Sequence, residues 1–312
     1  MRYILNPYIA LRSWMLVPYA YYIKGERNAK GLTAEEFAFL TECDGRSELP
    51  DEAESPLARK FLADGFIRKA ENCDVLSDWS RPRLCPNRYF PAMNWMIIGK
   101  CNYNCIHCFN AADNAPLMSE WSMDEADRLL DQARDCGINA FTITGGEPML
   151  QIDFLTELFT KAKQNGIRTA LDTCGILFDP DHTEKTDKLM AVTDLVLLDI
   201  KHMFDEEHKK LTGHSNARVF AFAEYLKKIG KPVWIRHVVV PGITFRREEL
   251  LALGRYLKTL TNMEKLEVLP YHSMGKVKYD SLGIEYPLLN TPQLTKAEAA
   301  EAEAIIREGM AE

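Results

Sequence analysis

The stretch CNYNCIHC, Cys101 to Cys108, sets three cysteines in the spacing C-x3-C-x2-C, and GGEP, Gly145 to Pro148, follows about one βα unit later. Thiolate is the soft ligand that iron-sulfur iron prefers, and one short loop lets the sulfurs of Cys101, Cys105 and Cys108 converge on three corners of a cubic 4Fe-4S cluster. One iron is then left without a protein ligand, open to a substrate. A zinc site is the competing reading, but zinc normally takes four ligands built from C-x2-C pairs. His107 is the fourth ligand such a site would use, and it lies between two cysteines of the same tight loop. The glycines of GGEP let backbone approach a ligand closely, because no Cβ stands in the way.

Outward from these motifs the apolar runs recur at a βα period. Asn94 to Ile98, Ala140 to Thr144, Arg168 to Thr173, Leu195 to Ile200, Val233 to Val240 and Lys265 to Tyr271 read as six strands. Helical patterns lie between them, among them Met123 to Cys136, Ile152 to Asn165, Ala217 to Lys228 and Arg247 to Leu260. Strands alternating with helices imply parallel pairing and right-handed crossovers. The expected fold is α/β, a partial (β/α)6 version of the (β/α)8 barrel over residues 93–312 with an extended C-terminal arm. In such barrels the chemistry sits at the C-terminal ends of strands. Both motifs fall there, and Asp172-Thr173 closes the third strand.

Residues 1–70 read differently. LTAEEFAFLTECDG and SPLARKFLADGFIRK give two short amphipathic helices and a hairpin, a small winged-helix-like α+β appendage for packing or for recognising a peptide. Residues 71–92, rich in Pro, Asp, Arg and Ser, read as a linker.

Of the 312 residues 46% are apolar, enough for one large domain with a small appendage. No apolar run reaches 18 residues, and the early stretch Trp14 to Ile23 is short and contains Pro18, so neither membrane insertion nor secretion is indicated. Eight cysteines in a chain of this length are too sparse for a disulfide scaffold. A cytoplasmic location is expected, since an oxygen-labile cluster needs a reducing compartment. The net charge of -7 makes nucleic acid an unfavourable partner. Cys43, Cys73, Cys85, Cys136 and Cys174 are scattered and read as buried or free thiols, and no cysteine after Cys174 is present to ligate a second cluster.

The cysteine loop followed by GGEP resembles the radical S-adenosylmethionine superfamily. The resemblance implies that the methionine amino and carboxylate groups chelate the open iron, that Gly145, Gly146 and Glu147 contact the amino group, and that His107 packs on the adenine. ALDTCG, TDLVLLDIKHM, HKKLTGHSN, KPVWIRHVVVPG and EVLPYHSMGKVKYDSLGIEYPL, spread over residues 145–312, resemble the glycyl radical enzyme activases of the pyruvate formate-lyase activating type. That resemblance implies a monovalent cation (Na or K) held by Asp172, Thr173, Asp199 and the carbonyl of Leu197. It also implies cofactor contacts from Lys201, His272 and Phe109. Arg236, inside an apolar strand, needs a carboxylate partner, from a substrate or from Asp199.

Residues 1–150, with NWMIIGKCNYNCIHCFNAADN and CGINAFTITGGEP, instead resemble the front of a radical peptide-maturase-like protein. No Asp-Gly-Pro-Gly segment, which activases carry near their N-terminus to receive the glycyl loop, occurs. The two resemblances meet near Pro148, as in a hybrid. The implied activity is reductive cleavage of S-adenosylmethionine to a 5'-deoxyadenosyl radical that takes hydrogen from a glycine of a glycyl radical enzyme such as pyruvate formate-lyase, with flavodoxin or ferredoxin as reductant. The alternatives are a peptide-modifying enzyme guided by the N-terminal module, or a hybrid that cleaves the cofactor without productive turnover.

Overall fold

In a computed structural model, residues 1–26, 28–86, 88–111 and 121–312 are described. Residues 112–114, the end of the first quoted stretch of the peptide-maturase resemblance, lie outside them. The chain forms two compact units: residues 1–93 with 124–141 and 161–168, and residues 94–123, 142–160 and 169–312.

The first unit opens with a three-stranded antiparallel sheet in the order Asp44–Glu48, Arg2–Leu5, Ile67–Lys69. The two expected helices are Ala34–Thr41 and Pro56–Ala63. Thr33 starts the former: its hydroxyl accepts from the Glu36 N–H at 3.1 Å while the Glu36 carboxylate accepts from the Thr33 N–H at 2.9 Å, satisfying two donors that a helix start leaves open. Tyr3, Leu5, Leu40, Phe61 and Ile67 then share one core. The hairpin is Ile9–Trp14 with Val17–Ile23.

Within residues 71–92, the strand Arg83–Leu84 pairs in parallel with Arg12 and Ser13, and Trp79 and Tyr89 pack against a core containing Trp14 and Tyr22. Arg12 is buried there. Its guanidinium donates to the carbonyls of Leu11, Arg81 and Trp79 at 2.7, 3.0 and 3.1 Å and lies 5.3 Å from the centre of the Trp79 ring. Backbone dipoles and a ring face therefore take the place of a carboxylate.

The second unit is built on six strands arranged in chain order: Ala92–Ile98, Ala140–Gly145, Arg168–Thr173, Leu195–Asp199, Val233–Val239 and Met263–Pro270. Each end lies within two residues of the sequence expectation, and the last four strands pair in parallel. This is the expected partial (β/α)6 barrel. Val233–Val239 shows how it works: Val233, Ile235, His237 and Val239 are buried, while Trp234, Arg236 and Val238 alternate with them on the other face. Period-two alternation is what lets one strand carry both a core and a site.

The helices Arg247–Leu257 and Lys296–Ala311 approach closely. A Cβ on Gly254 would lie 2.0 Å from the Ile306 carbonyl oxygen, and one on Gly309 would lie 2.4 Å from that of Leu251. Alanine gains about 1 kcal/mol of helix propensity over glycine, but overlap with a fixed backbone carbonyl forces the helices apart at about 1–3 kcal/mol. Gly254→Ala is therefore expected to lower stability by up to about 2 kcal/mol in urea unfolding of the metal-free protein, and a higher midpoint would refute this packing.

Candidate active site

The end of the first barrel strand and the GGEP turn touch through backbone alone. The Gly146 N–H donates to the Ile98 carbonyl at 2.8 Å and the Glu147 N–H to the Lys100 carbonyl at 3.0 Å. A Cβ on Gly145 would stand 2.4 Å from the Ile98 oxygen, and one on Gly146 2.0 Å from the Lys100 oxygen. Only glycine fits at both positions.

This contact walls one side of a cavity of about 400 Å³. The cysteine loop contributes Cys101, Cys105, His107, Cys108 and Phe109, and the turn contributes Gly145 and Gly146. Strand ends contribute Asp172, Thr173, Asp199, Lys201 and Arg236, and the segment after the last strand contributes His272. The structure thus brings together the residues singled out from the sequence except Glu147 and Leu197, which do not border the cavity. Glu147 is 1% exposed, and its carboxylate accepts from Met149 N–H at 3.0 Å, Thr173 Oγ1 at 2.7 Å, and Cys174 N–H and Sγ at 3.0 and 2.9 Å. It ties the turn to the end of the third strand.

Thr173 lines the cavity, and its side chain is tied to Glu147. Asp172 and Thr173 are neighbours on a strand and point to opposite faces. The Thr173 hydroxyl donates to Glu147 and accepts from the Gly175 N–H at 3.0 Å. Arg236 instead lies between them: Nη1 donates to Asp172 Oδ2 at 2.6 Å, and Nε is 4.0 Å from Asp199 Oδ1 and 3.7 Å from Glu267 Oε2. Asp199 and Arg236 are register partners on adjacent strands and so share a face. Lys201 Nζ donates to Asp199 Oδ2 at 2.9 Å.

Burial, and then the charge of Asp199, pushes the Asp172 carboxyl up to about 6 against the pull of Arg236. Burial opposes the charge on Asp199 too, but Lys201 and Arg236 outweigh it and hold this carboxyl below its ordinary range. Burial disfavours the Lys201 ammonium, yet Asp199 raises it on balance. The thiols of Cys101 and Cys105 are pushed up to about 11 and about 12, chiefly by burial, so binding of iron must displace their protons. Burial, followed by the charge of Lys201, pushes His107 down to about 3. His107 Nδ1, Asp199 Oδ1 and Arg236 Nε lack hydrogen-bond partners among the described residues.

Sequence reading missed Cys174, Tyr103 and Asn110, which also border the cavity. Cys174 carried a signal in its place immediately after the Asp172-Thr173 strand end; Asn110 carried one only in following the last cysteine and Phe109.

Gly146→Ala is expected to push the turn off Lys100, so that iron and sulfide bound after anaerobic reconstitution fall below half of the wild-type level. Replacing Cys101, Cys105 or Cys108 with Ala should abolish binding, and Cys73→Ala, at an exposed position, should not. Wild-type iron and sulfide content in Gly146→Ala would refute the contact.

A second expectation concerns pH. His237 is buried beneath the site, its Nδ1 donating to the Ile200 carbonyl at 2.7 Å, and burial holds it down at about 4. The unfolded imidazole takes a proton near pH 6.5, so its contribution is full above that value and is lost as pH falls towards 4. Between pH 7 and pH 5 the metal-free wild type should lose about 2 kcal/mol more than His237→Asn in urea unfolding. Parallel losses would show that His237 does not carry this effect.

The model of the Radical SAM superfamily matches residues 95–254. The chain is 51% identical over 197 residues to the pyruvate formate-lyase-activating enzyme of Streptococcus mutans, covering 60% of this chain and 74% of that one. It is 49% identical over 156 residues to the enzyme of the same name from Listeria monocytogenes, covering 49% of this chain and, just under two thirds, 63% of that protein. In three dimensions it resembles Streptococcus suis SuiB bound to precursor peptide SuiA, with TM-score 0.63 and 17% identity over 90% of this chain and 68% of SuiB, a likeness of fold. With the three cysteines and the glycine turn walling one cavity at the mouth of a partial barrel, the chain belongs to the radical SAM superfamily.

Proposed function

We propose that this chain is a glycyl radical enzyme activase of the pyruvate formate-lyase activating type. The observation that carries the reading is the 51% identity to the Streptococcus mutans activating enzyme over 74% of its length. The site fits the cofactors of the superfamily. Three thiols and no fourth sulfur of the loop offer soft ligands to three irons. Unpartnered polar atoms on His107, Asp199 and Arg236 leave the adjoining space able to receive a polar molecule, and its volume lies within the range of small-molecule pockets. When bound, the 4Fe-4S cluster and S-adenosylmethionine supply the one-electron chemistry that removes a hydrogen atom from substrate.

The residues of the chain bind, orient and exclude water. Cys101, Cys105 and Cys108 hold the cluster, and the bare backbone of Gly145 and Gly146 lets the amino group of the cofactor approach. Asp199, held ionised by Lys201 and Arg236, presents its open Oδ1 to a cationic or hydroxyl group. With Arg236 and Lys201 already beside Asp172 and Asp199, these aspartates keep a positive neighbour whether or not Na or K joins them. Val238, Leu269 and Tyr271 line the apolar side of the cavity and limit water near a reactive species. The partner is a glycyl radical enzyme, with pyruvate formate-lyase the first to test, and a flavodoxin or ferredoxin is the electron donor.

The test is an anaerobic assay of the reconstituted protein with reductant, S-adenosylmethionine and pyruvate formate-lyase, quantifying 5'-deoxyadenosine and the glycyl-radical EPR doublet in one tube. Both should form, and Cys105→Ala should abolish both. Without an Asp-Gly-Pro-Gly segment to receive the glycyl loop, doublet formation is expected to lag 5'-deoxyadenosine by tenfold or more, since misplacement by about 1 Å costs roughly a hundredfold. Production of 5'-deoxyadenosine with no doublet at any partner concentration would overturn the activase reading.

A further inference from the structure

The short helix Lys276–Leu282 lies against the loop that carries the cysteines. Lys278 Nζ donates to Asn110 Oδ1 at 2.6 Å and stands 3.9 Å from the centre of the Phe109 ring. Asn110 passes the contact on, its Nδ2 donating to the Gly145 carbonyl at 3.1 Å. One residue further, the Tyr279 hydroxyl donates to the Cys108 carbonyl at 3.1 Å. Gly275 lets the segment come this near, because a Cβ there would lie 3.1 Å from both the Cα and the carbonyl oxygen of Phe109.

Lys278 is half-buried and forms no ion pair among the described residues. A partly desolvated ammonium without a carboxylate is unfavourable unless other groups meet it. Here an amide oxygen and a ring face do so. The chemistry of the contact also has a direction. An ammonium can only donate, so Asn110 must turn its oxygen to Lys278, and its NH2 then faces the Gly145 carbonyl. The Gly145 carbonyl favours the same orientation, and without the ammonium it would be left to hold the amide alone.

We propose that Lys278 is a positioning residue for S-adenosylmethionine, which fixes the Asn110 amide against the glycine turn and the Phe109 ring on the cavity wall. Lys278 does not border the cavity itself and acts through these two residues. The inference rests on the reading of the cavity as the cofactor site.

The experiment titrates S-adenosylmethionine into the anaerobically reconstituted, reduced holoenzyme and follows the change in the cluster EPR signal, with iron and sulfide measured in parallel. In Lys278→Met the dissociation constant should rise about tenfold with iron and sulfide at wild-type levels, and Lys278→Arg should recover most of the affinity. Asn110→Ala should weaken binding to a similar extent, and the double variant should be within about twofold of the single ones, because both substitutions break one chain of contacts. Wild-type affinity in Lys278→Met, multiplicative losses in the double variant, or loss of iron in Lys278→Met would each overturn the proposal. A wild-type signal that does not respond to S-adenosylmethionine would overturn the cofactor-site reading and this proposal with it, whereas failure in the variants alone leaves that reading standing.

Discussion

The site depends on a place where two stretches of backbone meet with nothing between them. Gly145 and Gly146 lie so near the carbonyls of Ile98 and Lys100 that a methyl group at either position would overlap an oxygen. Because the cysteine loop begins at the next residue, this contact sets where the loop starts relative to the second strand. The loop then returns to the turn through Asn110, whose amide holds the Gly145 carbonyl. Closing a loop at both ends restricts the chain between them, so the three sulfurs are confined before any metal arrives.

The charges are arranged by strand alternation. Asp172, Asp199 and Arg236 sit on neighbouring parallel strands at positions of the same parity and meet over the cavity, while the Thr173 hydroxyl is tied to Glu147 and His237 faces the other way and holds the Ile200 carbonyl. Arg236 keeps the two aspartates near each other, since without a positive neighbour two buried carboxylates cannot both stay ionised. The pair is left unequal, with Asp172 inclined to accept a proton and Asp199 to give it up.

Much of this was legible in the sequence. Apolar periodicity located all six barrel strands within two residues, and the cysteine and glycine motifs located the cavity, because both signals are local. What periodicity could not convey was the side-chain direction at a motif boundary, which ties the Thr173 hydroxyl to Glu147 and withdraws Glu147 from the cavity. Nor does a string of letters show that Lys278 reaches Asn110, 168 residues away. Residues 71–92 looked like a linker because Pro, Ser and charge dominate them, while two aromatic side chains, Trp79 and Tyr89, found partners in a core.

Glu147 bears on how the superfamily motif is to be understood. Four donors surround its two oxygens, and it needs no donor of its own. Glutamine has nearly the same shape, yet it would turn an NH2 group towards groups that can only give hydrogens or would have to reverse their roles. An acid is required at this position by the count of donors and acceptors, independently of any ligand. The acidic letter of GGEP is thus a structural rivet of the barrel, and its invariance in a variant library would report on folding even if the cofactor were never added.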